Sequence, residues 1–113
     1  MLVGAVTPLE LVSVEQAVTA VRHLLVMRYP QTDSTRVKCD TIIKTFADHC
    51  AVSGIETLQQ LTKDFVQDFL WMPPRRGVVL EPSVNTVANR QWAINVCFEL
   101  LNEIGLHRMP RIP

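Results

Sequence analysis

Glycine is scarce in this chain of 113 residues: the 4 present stand singly, so no glycine-rich loop is available to cradle a phosphate. GxSxG and HExxH are missing too, and no two carboxylates pair at a spacing that suggests a cleft. There is no excess of either charge. The 11 Lys+Arg offset 11 Asp+Glu, which excludes a polybasic mode of nucleic-acid binding and leaves only local clustering. Long apolar runs are lacking as well: residues 24–27 make a run of 4 near the N-terminus, where about 20 are needed to cross a bilayer. No membrane partner is expected. The opening MLVGAVTPLELV has no positive charge and carries Pro8 and Glu10, unlike a secretory signal, so a cytoplasmic location is expected. The 3 cysteines, Cys39, Cys50 and Cys97, form no CxxC pair and have no histidine at ligand spacing. Buried, reduced thiols are expected, with no metal and no cofactor. His23, His49 and His107 lie far apart and read as surface or half-buried residues, and Tyr29, the single tyrosine, as a packing residue. No catalytic residue is assigned, and the chain by itself is not expected to be an enzyme.

What the chain does have is 48% hydrophobic residues arranged at helical spacing, enough for an ordinary small core. Ser13 with Gln16 three residues on makes a capping box for a first helix over residues 14–29, bearing Val14, Ala17, Val18, Val21, Leu24 and Leu25 and closed by Pro30. Asp33, Ser34 and Thr35 are alternative caps for a second helix over 35–52, with Cys39, Ile42, Ile43, Phe46, Ala47 and Cys50 on its apolar face and Gly54 as a left-handed stop. Thr57 caps a short turn carrying Leu58 and Leu61; Thr62 and Asp64 then open a third helix with Phe65, Val66, Phe69 and Leu70. Pro82 and Ser83 start the longest helix, which runs to about Glu103 and stops at Gly105. Its apolar positions are too many for one stripe, so it should be the central element, flanked on more than one side. Trp71 and Trp92 are expected in core or domain-interface packing. The fold class is all-α, a small bundle of four to five helices over 13–106, with an arm at 1–12 and the start of a linker at 107–113.

Polar and basic residues gather at two helix starts: Ser34, Thr35, Arg36 and Lys38 at the second, and Ser83, Asn85, Thr86, Asn89, Arg90 and Gln91 at the fourth. Free amides and a partial positive charge make a helix N-terminus suited to phosphate, and Asn, Gln and Arg can bond base edges. Asn85, Asn89 and Arg90 stand at spacings that can share one face. Capping alone would place Ser, Thr and Asn at the same positions, so both explanations stay open. The loop MPPRRGVVLEP adds Arg75 and Arg76, the only adjacent basic pair.

In order and spacing, Thr35, Cys39 and Phe46, then LTKDFVQDFL, PSVNTVANRQWAINVCFELLNEIGL and a closing MPRIP, resemble the N-terminal core-binding domain of tyrosine recombinases, the phage-integrase family, over about residues 13–113. The resemblance implies a SAM-like bundle that forms half of a C-shaped clamp on double-stranded DNA, with the second and fourth helices facing it. On that basis Thr35, Arg36 and Lys38 match the start of the second helix, and Thr86, Asn89 and Arg90 the first turns of the fourth. Asn85 joins them on spacing, and Arg75 and Arg76 lie in the connecting loop. Cys39 departs from the aromatic common at its position, and Trp92 from a smaller residue. The implied function is DNA binding in integration or recombination, with strand exchange carried by a catalytic domain further along the same parent chain and without metal. Self-association on DNA is left open. The alternative is a helical protein-interaction or dimerisation module without DNA function.

Overall fold

A computed structural model describes residues 12–30, 34–73 and 80–105. Among them lie four α-helices, α1 (Val14–Arg28), α2 (Ser34–Val52), α3 (Lys63–Trp71) and α4 (Val84–Glu103), one 3-10 turn (Leu58–Gln60) and no strand. The arm before residue 12, Arg75, Arg76 and residues 107–113 fall outside the described residues.

The helix ends follow from their side chains. Ser13, in extended backbone, accepts the Gln16 amide on its hydroxyl at 3.0 Å; Thr62 does the same for Phe65 at 3.0 Å and Ser83 for Thr86 at 3.1 Å. Where the 3-10 turn begins, Gln60 Oε1 accepts the amides of Glu56 and Thr57. Gly54 and Gly105 take φ of 77° and 98°, the left-handed geometry a residue with a Cβ resists, and so stop α2 and α4.

The helices α1 and α2 form an antiparallel hairpin. Near its open end the Val14 amide donates to Glu56 and the Leu58 amide to Val12, while Arg22 reaches Asp40 midway. Beneath the hairpin runs α4, which packs against all three other helices and buries Val87, Ala93, Ile94, Val96, Cys97, Phe98, Leu100 and Leu101. It is the central helix that its crowded apolar pattern predicts. Phe46 of α2 meets the Phe69 ring of α3 edge-on at 5.0 Å and closes the other side of the core.

All three cysteines are buried free thiols on the inner faces of α2 and α4. Desolvation pushes Cys39 up to about 11 and Cys50 and Cys97 up to about 12, so the thiols are neutral and packed as small apolar groups. Trp92 packs half-buried against the core, but Trp71, the last residue of α3, is 54% exposed. Of the two placements expected for Trp71, core or domain interface, its exposure removes the first: the helix ends on it, and the buried face is completed by Phe69 and Leu70.

Candidate nucleic-acid interface

The second helix shows three sides. One, with Cys39, Ile43, Phe46 and Cys50, is buried. A second meets α1 along their seam. The third carries Ser34, Lys38, Thr41 and Thr45, spaced four, three and four residues apart and all exposed. The Thr41 and Thr45 hydroxyls donate to the carbonyls of Val37 and Thr41 at 2.9 and 3.0 Å, so toward solvent their oxygens are acceptors. Asp40 is the one acid between residues 34 and 47, and it lies on the seam side, held by Arg22 Nε at 2.7 Å. This bond and the charge of Asp40 raise the Arg22 pKa above its ordinary value. The third side therefore runs from the helix N-terminus for three turns without a carboxylate.

Of the residues assigned at this start, Thr35 and Lys38 are exposed, and Arg36 is half-buried with Nη1 donating to the Tyr29 carbonyl at 3.1 Å. Arg36 thus serves the C-terminus of α1, where the carbonyls lack helical partners. Tyr29 itself packs half-buried on the core.

At the start of α4 the same residue types are used differently. The Ser83 hydroxyl caps the helix and is bonded to the Thr86 hydroxyl at 3.0 Å. Asn85 is exposed and Asn89 half-buried. Arg90 is only 8% exposed and passes inward to the end of α3, where Nη1 donates to the carbonyls of Met72 (2.7 Å), Leu70 (3.0 Å) and Phe69 (3.3 Å). Its guanidinium also lies 5.6 Å from the centre of the Phe69 ring. Burial lowers its pKa, while the converging carbonyls of a helix C-terminus suit a cation. This corrects the expectation that Asn85, Asn89 and Arg90 share an exposed face: Arg90 closes the third helix and is not at the surface. Its position in the series 87, 90, 94, 97 and 101, otherwise apolar, is the sequence signal for burial.

The two starts do not form one site. Arg28 at the end of α1 pairs with Glu103 at 2.7 Å at the end of α4, and α2 starts beside the end of α1, so the α2 start shares an end of the bundle with the α4 finish. The start of α4 is a 20-residue helix away, about 30 Å at 1.5 Å per residue.

No protein-family model, curated protein or solved structure matches the chain.

Other chemistry has little to build on. Among the described residues no three His, Cys, Asp or Glu side chains come together to hold a metal ion, and no helix is long and apolar enough to cross a membrane. His49 is half-buried, stacked 4.9 Å from the Phe65 ring, and His23 is exposed. Residue reasoning missed Thr41 and Thr45 as members of the α2 face, although their spacing from Lys38 was the signal.

Proposed function

We propose that this chain is a DNA-binding helical domain of the tyrosine-recombinase type, gripping duplex DNA through the outward side of α2. The observation that supports it most is the exposed series Ser34, Lys38, Thr41 and Thr45, which leads away from a helix N-terminus with no carboxylate before Asp48. On this reading the amides of the first turn and the Lys38 ammonium meet phosphate oxygens, which fixes orientation. The two threonine oxygens then accept from base amino groups in the major groove, where C and A present them. The domain contributes grip and register. Strand exchange would belong to a catalytic domain of the parent protein, for the chain's own tyrosine is packed on the core.

With net charge zero and one lysine on the face, binding by this chain alone is weak and rests on few phosphate contacts. A titration of duplex DNA binding against salt should show log affinity falling with log salt at a slope of about −1, the value for one phosphate neutralised by a lysine. Absence of any binding at low salt overturns the proposal.

A further inference from the structure

Beyond Lys38, the outward side of α2 offers a ligand chemistry of one kind. The Thr41 hydroxyl donates to the Val37 carbonyl at 2.9 Å and the Thr45 hydroxyl to the Thr41 carbonyl at 3.0 Å, so the helix itself takes the one hydrogen that each has to give. What each side chain presents to solvent is an oxygen lone pair beside a γ-methyl group. Asp48, exposed and three residues beyond Thr45, adds a carboxylate, which accepts and does not donate. The face past the lysine is a row of acceptors.

In the major groove only two groups answer such a row, the N6 amino group of adenine and the N4 amino group of cytosine; guanine N7 and O6 and thymine O4 are themselves acceptors. Within a base pair each amino group gives one hydrogen to its partner base and turns the other into the groove. A methyl group on that nitrogen replaces the groove-facing hydrogen, so the threonine oxygens meet carbon where they need a donor and stay unpaired. A methyl group on cytosine C5 leaves the amino hydrogen in place and resembles the methyl group of thymine, which a threonine methyl tolerates.

We propose that the grip of α2 on duplex DNA is gated by methylation of the base amino groups: N6-methyladenine and N4-methylcytosine block it, and 5-methylcytosine does not. The gate rests on the DNA reading of this face and adds its regulation. Thr41 and Thr45 are the residues that sense the modification, while Lys38 and the amides of the first turn, which meet phosphate, are blind to it.

One mixed-sequence duplex of about 20 base pairs, made in three forms, tests this without knowledge of a target site. The first form is unmodified, the second carries N6-methyladenine and N4-methylcytosine throughout, and the third carries 5-methylcytosine throughout. No register on the second form escapes the modification. At one low salt concentration, and well below the melting temperature of each duplex, the wild-type chain should bind the second form about ten-fold more weakly than the first and the third within about two-fold of it. The salt dependence should be the same for all three, because the phosphates are untouched. Thr41→Val with Thr45→Val keeps the shape without the oxygens and should bind the first two forms alike, whereas Thr41→Ser with Thr45→Ser keeps the oxygens and should still discriminate. Thermal melts check that both variants fold. Equal wild-type affinity for the first two forms overturns the gate and leaves DNA binding standing. So does discrimination that persists in the valine variant, which traces to shape and not to the oxygens. No binding of the unmodified duplex overturns the DNA reading and the gate together.

Discussion

The beginnings of α2 and α4 are written in similar residues, hydroxyls followed by a base, with amides added at α4, yet the two polar starts continue in opposite ways. At α2 the residues after the first turn, Lys38, Thr41 and Thr45, keep to the solvent side, and the polar start continues as a polar stripe. At α4 the stripe turns inward within two turns, because Arg90 follows Val87 on the buried side and spends its guanidinium on three carbonyls of α3. Arg36 and Arg90 both turn to the end of a preceding helix; what distinguishes the starts is that Lys38, Thr41 and Thr45 carry the polar series on along the solvent side of α2, whereas Arg90 ends it at α4. A cap says only that a helix starts.

That contrast can be strained from the inside outward. The inner faces of the two helices should respond alike to alkali, because Cys39, Cys50 and Cys97 are all buried. Their folded pKa values, about 11 to 12, exceed the ordinary value of 9.0, so the unfolded chain releases these protons first. Stability is then full below pH 9 and falls as pH rises toward 11 to 12, by up to about 1.4 kcal/mol per pH unit for each thiol. Urea unfolding in reducing buffer between pH 8 and 11 measures it, and a flat profile would contradict the burial of the thiols.

Arg90→Ala comes next in size. It removes three hydrogen bonds and leaves the end of α3 uncapped, for a cost of about 2–4 kcal/mol, whereas Lys38→Ala should stay within about 0.5 kcal/mol. Equal stabilities for the two variants would erase the distinction between the helix starts. Ser83→Ala should lower stability by about 1 kcal/mol, the usual worth of an N-cap, and leave the solvent side of α2 unchanged. A chemical-denaturation midpoint that does not move would mean the Ser83 hydroxyl is not needed at this cap.

Much of the fold was legible because helix ends are local chemistry. Ser13, Thr62 and Ser83 cap where their spacing to the apolar residues places them, and Gly54 and Gly105 stop helices where a positive φ is needed. The centrality of α4 was legible in its crowded apolar pattern. The candidate site was less so. Arg36 and Arg90 were assigned to the surface on type and proximity to a helix start, but each lies beside the C-terminus of a preceding helix whose carbonyls need donors, a demand set by packing and invisible in one helix taken alone.

The central claim, that α2 meets DNA while the start of α4 serves the fold, is tested most directly by measuring duplex affinity at one low salt concentration for the wild-type chain, Lys38→Glu and Asn85→Ala. All three should melt alike, since both side chains are exposed. The account predicts that Lys38→Glu weakens binding about ten-fold and makes the salt slope shallower by about one, while Asn85→Ala changes affinity by less than about two-fold. Loss of binding in Asn85→Ala with Lys38→Glu unaffected would contradict it.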